Sequence, residues 1–157
     1  CISSQPFTKI IAQRLKGYRY ALKEHNLLVK DSLIKISSHR YGEGGYEALN
    51  KFLSLKDRPT AIFVTNDITA IGALRAAKDK GINIPDELSI VGFDNIEAST
   101  YLEVPLTTIS QPAEKMGKIA LDILMKRMEE EEHKEIQKIV LKPELIKRDS
   151  CKKIETP

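Results

Sequence analysis

"PTAIFVTNDITAIG", residues 59–72, decides the fold. Its first half is an unbroken apolar run of strand length, as expected of a parallel strand covered by helices on both faces. Its second half is made of small, helix-forming residues, and Asn66 and Asp67 stand between the two. Where a parallel strand runs into a helix, the strand's carboxyl end meets the helix's amino end at one edge of the sheet. Unpaired N–H groups there favour oxygen-rich partners, and open α/β sheets hold their ligands at that edge. Asp67, or Asn66 just before it, is a good N-cap, and capping is the reading favoured for Asp67. Asn66 both donates and accepts, which suits either a hydroxylated ligand or its own loop.

Downstream, "ITAIGALRAAKDKG" continues the helix to Gly81, Pro85 and Asp86 make a turn, and "LSIVGFD" reads as the next buried strand. Strand, helix, strand is a βαβ unit with a right-handed crossover. Asp94 ends the second strand and is expected either to point into the same crevice or to cap the following turn through Asn95. Upstream, Ile11, Leu15, Tyr18 and Leu22 recur at helical spacing and predict an amphipathic helix over about residues 8 to 26. "SLIKIS" is β-like, "SHRYGEGG" reads as a glycine-rich loop, and "YEALNKFLSL" resumes helical spacing through Ala48, Leu49, Phe52 and Leu53.

Beyond Asp94, "NIEASTYLEVPLTTISQP" reads as loop with one short strand around 107–109. A long helix from Glu114 carries Met116, Ile119, Ala120, Ile123 and Leu124 on one stripe and runs into the solvated "EEEEHKE". "IQKIVLKPELIKRDS" holds two strand-like segments around Lys142 and Pro143. The fold class is therefore α/β, an open, mostly parallel sheet wrapped by helices, with no internal repeat.

Composition narrows the function. The 157 residues, 41% hydrophobic and 30% charged, suffice for one ordinary core. Twenty-five Lys and Arg against 22 Asp and Glu leave +3 with no basic block, so charge alone does not point to nucleic acid. Cys1 and Cys151 lie at opposite ends, which predicts two reduced thiols and a cytoplasmic protein rather than a disulfide framework. No apolar run approaches the roughly 20 residues of a membrane helix, and no signal peptide is visible. The chain opens on Cys1 without an initiator methionine, as a piece of a longer protein would.

Catalysis has little support. "GEGG" at 42–45 lies between a strand and a helix as a dinucleotide loop would, but Glu47 occupies the third glycine position of G-x-G-x-x-G, and no Walker A lysine motif occurs. His25, His39 and His133 lack metal-ligand spacing and read as surface residues. No catalytic residue, metal or cofactor is expected.

"PTAIFVTND", "IPDELSIVGFDN" and "LTTISQP", in this order and spacing, with "RLKGYRYAL" upstream and "LIKRDS" at the end, resemble the effector-binding core of the LacI/GalR family of bacterial transcription repressors. The likeness covers essentially the whole chain. It implies one lobe of a periplasmic-binding-protein-like (type I) fold. Residues of about 5–110 would form the C-terminal lobe, and about 111–150 the helix and strands that return to the N-terminal lobe, with the DNA-binding headpiece absent. It further implies a small sugar-like effector bound between lobes, operator DNA contacted only through the missing headpiece, and a homodimer. A periplasmic sugar-binding protein of a transport system shares the fold and is the alternative.

Carried over residue by residue, the resemblance puts Arg14, Asn66 and Asp94 in the effector cleft, with Gln111 either a fourth cleft residue or a hinge residue satisfying backbone groups. Arg14 supplies a planar fork of donors for paired oxygens. Arg40 falls about where family members often carry an aromatic residue. It implies either an effector with a negative charge, paired by the guanidinium, or an ordinary exposed loop arginine. Ile68, Ile71 and Tyr101 would lie on the dimer face, Ile71 serving equally well in the local core. The face around Met116, Ile119 and Ile123 should be covered by another chain or by this one.

Overall fold

The computed structural model describes residues 1–5, 8–129 and 136–153. Its elements run β1 (Ile2–Gln5), α1 (Lys9–Glu24), β2 (Lys35–Arg40), α2 (Tyr41–Leu53), β3 (Ala61–Phe63), α3 (Asp67–Asp79), β4 (Ser89–Val91), β5 (Thr108–Ser110), α4 (Ala113–Glu129) and β6 (Glu144–Ile146). β1 pairs with β2 and β3 with β4, both in parallel, whereas β6 is antiparallel to β5. Parallel bridges from Ile2 to Val64 and from Val91 to Thr107 join these ladders in the order β2-β1-β3-β4-β5-β6. The strand order reverses beside β1, so the carboxyl ends of β1 and β3 border the topological switch point, the usual ligand crevice of such sheets.

Alternation along β3 sorts the helices. Ile62 packs with Ile2, Ile90, Leu106, the alanines of α3, and Leu49 and Phe52 of α2 in one buried cluster. Phe63 points the other way and stacks on Tyr18 of α1, ring centroids 6.0 Å apart. α1 buries Ile11 and Leu15 of its predicted stripe, and Thr8 caps it by accepting from the Ile11 N–H.

Two expectations need correction. The glycine-rich stretch after β2 is not a loop: Tyr41, at φ +60, turns the chain directly from strand into helix, and α2 contains Gly42, Gly44 and Gly45. Glycine weakens an isolated helix, but here close packing decides the matter. A Cβ on Gly72 of α3 would overlap the Gly42 carbonyl, and one on Gly45 would overlap the carbonyl of Thr69. At the other end of the chain, one strand forms where two were expected, because only 144–146 pairs with a neighbour while 136–143 stays irregular.

No residue of α4 is buried within the single chain. Ile119 and Ile123 are half-buried, and together with Pro112, Phe93 and part of 137–143 they line a cavity of about 450 Å³. Met116 remains 49% exposed, so the chain itself covers the apolar stripe only in part.

Candidate functional site

β1, β3, β4 and β5 all point their carboxyl ends at one edge, and that edge gathers residues distant in sequence. Arg14, one turn into α1, reaches across: Nη1 donates to the Thr65 carbonyl at 2.7 Å and Nη2 to Asp94 Oδ1 at 2.8 Å. The same Asp94 oxygen accepts from Gln111 Nε2 at 2.8 Å. The guanidinium lies over the Phe93 ring, 3.9 Å from its centroid, which adds a cation–π contact. Arg14 is 11% exposed and Asp94 29%, so the carboxylate is the more accessible of the pair. Among the described residues no donor reaches Asp94 Oδ2, which leaves an acceptor directed at solvent.

Asp94 and Asn95 both sit at positive φ, +116 and +51, uncommon for residues with a Cβ and sustained only where neighbours fix them. Several contacts do so, among them three that involve side chains. Asn95 Oδ1 accepts from Arg148 Nη2 at 2.7 Å, Asn95 Nδ2 donates to Ser110 Oγ at 3.3 Å, and the Ile96 N–H donates to Asp67 Oδ2 at 3.0 Å.

The roles expected of Asn66 and Asp67 are exchanged. Asn66 keeps an extended backbone and caps α3, its Oδ1 accepting from the Thr69 N–H at 2.8 Å. Asp67, the first helical residue, turns inward and is fully buried. Its Oδ1 accepts from the Thr108 hydroxyl at 2.6 Å and lies so close beneath Gly92 that a Cβ there would overlap it. Burial pushes the Asp67 carboxyl above its ordinary range, against the opposing pull of the Thr108 hydroxyl and the Ile96 N–H. Capping thus occupies the Asn66 side-chain oxygen and leaves its amide nitrogen without a hydrogen-bond partner among the described residues.

Asp94 therefore contacts both Arg14 and Gln111, with Asn66 next in sequence to Thr65, whose carbonyl Arg14 holds. Arg40 ends β2, but its side chain lies outside the described residues, as does His133. Ile68 (42% exposed) and Tyr101 (78% exposed) are on the surface, and Ile71 is half-buried between two surface hollows beside α3. Sequence reasoning missed Phe93 and Arg148. Phe93 adjoins Asp94 in "VGFDN", a usable signal, whereas nothing in the spacing connects Arg148 to Asn95.

Sheet order and edge chemistry define an α/β domain of the doubly wound kind with polar side chains collected at its switch point. The chain belongs to the periplasmic binding protein-like domain family, whose model matches residues 1–151. It is 38% identical over 152 residues to the HTH-type transcriptional repressor PurR of Photobacterium profundum, covering 97% of this chain and 45% of that protein. Among solved structures, a LacI-family regulatory protein from Chloroflexus aggregans superimposes with a TM-score of 0.86 at 32% identity, over 96% of this chain and 53% of that one. A complex of the transcriptional regulator CelR with cellobiose gives 0.85 at 26% identity, over 95% and 45%. The homologues are LacI-family transcription regulators, not enzymes, and the chain spans about half the length of the curated relatives it matches. No helix among the described residues is long and apolar enough to cross a membrane.

Proposed function

We propose that this chain is the ligand-sensing and dimerisation part of a cytoplasmic LacI-family repressor, and that its effector is a small hydroxyl-rich molecule, a sugar or sugar derivative. The observation that carries the proposal is the Arg14–Asp94–Gln111 cluster at the crevice. A carboxylate held by two donors on one oxygen keeps the other oxygen for neighbouring hydroxyls, at a fixed position. Asn66 adds a donor through its amide nitrogen. The cellobiose complex of the similar regulator favours a sugar. In the full-length protein, closure of a second lobe over this edge would shift the balance between conformations with different operator affinity.

The test is a calorimetric and thermal-shift screen of the protein against neutral sugars, sugar phosphates and nucleobases. A sugar or sugar phosphate is expected to bind, and Arg14→Ala and Asp94→Asn are each expected to weaken it about tenfold or more, the scale of one hydrogen bond to a charged group. Binding only of nucleobases would overturn the sugar assignment. Sugar binding untouched by both variants would overturn the site.

A further inference from the structure

We propose that His39, Glu43 and Glu47 form a site for one divalent transition-metal ion of borderline hardness, such as Zn²⁺, where β2 turns into α2. The argument starts from the absence of a loop. Tyr41 at φ +60 carries the chain from strand to helix within one residue, so the last strand side chains stand beside the first two helical turns. Glu43 and Glu47, four residues apart, share one helix face. His39 meets them there: one ligand atom from each of the three side chains lies within 4.8 Å of the others, and His39 Nδ1 is 3.0 Å from Glu47 Oε2.

That geometry is near what a metal requires. Imidazole nitrogen and carboxylate oxygen bind Zn²⁺ at about 2.0–2.2 Å, so adjacent ligand atoms sit about 3.0–3.5 Å apart. The His39–Glu47 pair already has this spacing, and the remaining contraction falls on Glu43, an exposed side chain with free rotamers. The frame beneath is stiff. The His39 N–H donates to Ser37 Oγ at 3.1 Å, the Ser37 hydroxyl donates back to the His39 carbonyl, and Gly44 packs so closely that a Cβ would overlap both acceptors. The strand end is thus fixed against the first turn of α2, and two carboxylates with a neutral imidazole balance a doubly charged cation. The positive end of the α2 dipole opposes a cation, but as a partial charge it is outweighed by two full negative ones. The metal would staple β2 to α2 at the carboxyl edge of the sheet, one strand beyond β1. This inference is independent of the effector proposal, because none of its ligands belongs to the Arg14–Asp94 cluster.

The test titrates ZnCl₂ into chelator-treated protein by calorimetry, with His39→Gln, Glu43→Gln and His25→Gln beside the parent and with MgCl₂ as a hard-cation control. One equivalent of Zn²⁺ should bind, at least about tenfold more weakly in His39→Gln and Glu43→Gln, with His25→Gln unchanged and Mg²⁺ clearly weaker. Circular dichroism of each variant checks the fold. Three results overturn the site: no saturable Zn²⁺ binding, which would leave the His39–Glu47 contact without a metal role; binding that survives in both variants; or binding abolished by blocking the two cysteines.

Discussion

Asp67 combines a costly burial with contacts to the Thr108 hydroxyl and the Ile96 N–H. Replacing it with Ala would leave the Thr108 hydroxyl and the Ile96 N–H without their acceptor. Unfolding in urea should show a loss of about 2–3 kcal/mol, the scale of one buried and one part-buried orphaned donor less the relief of removing a buried carboxyl. Because burial raises its pKa in the folded state, the native protein holds the Asp67 proton more tightly than the unfolded chain does. Stability from this site is complete below the ordinary value of 3.8 and declines as pH rises through the raised folded value. The stability difference between the parent and Asp67→Asn should therefore shrink as pH rises across that window, and a constant difference from pH 4 to 7 would refute the linkage. The exchange of roles between Asn66 and Asp67 could not be read from sequence. Both residue types make good caps, and a one-residue shift in the helix start is settled by what lies beneath, here Gly92 and Thr108. By contrast, the meeting of Arg14 with Asp94 follows from the rule that parallel strands end at one edge, together with the family likeness.

At the scale of elements, helix spacing in α1, α3 and α4 was legible because their apolar stripes are regular, and β3 and β4 because their runs are short and bounded. α2 was half hidden. Its glycines argue for a loop on intrinsic preference, and only the approach of α3 explains why they serve a helix. The same contact makes Gly72→Ala a sharp probe. The added methyl has only the Gly42 backbone to displace, so thermal and urea denaturation should show a loss of about 1–3 kcal/mol, within the usual range for overpacking. Gly117→Ala on α4, where an added Cβ meets nothing within 4 Å, should instead leave stability unchanged or slightly raised. Equal losses at the two positions would contradict the role given to the α2–α3 contact.

For the molecule as a whole, the surface carrying Ile68 and Tyr101 and the half-covered stripe of α4 are two of the places where apolar side chains meet water. Proposed pairing of two copies through the first predicts a dimer in sedimentation velocity. Ile68→Glu should shift it to monomer without lowering the melting point of the monomer itself, and an unshifted sedimentation coefficient would remove Ile68 from the interface. The class of fold was open to reading from sequence at this scale, but partial cover of α4 by 137–143 was not, since irregular segments leave no periodic trace.

The segment just before the end of the described chain behaves as a hasp. Arg148 donates to the Leu106 carbonyl and to Asn95. Ser150 Oγ accepts from the Thr107 N–H and donates to the Ile90 carbonyl, and the Ile90 N–H is taken by the Ser150 carbonyl. A handful of residues far from the crevice in sequence therefore fastens β4, β5 and the bend that presents Asp94. Proteolytic clipping or an engineered cut ahead of Arg148 would unlatch the proposed ligand edge from behind, so any shortened version of this protein should keep its tail through Lys152.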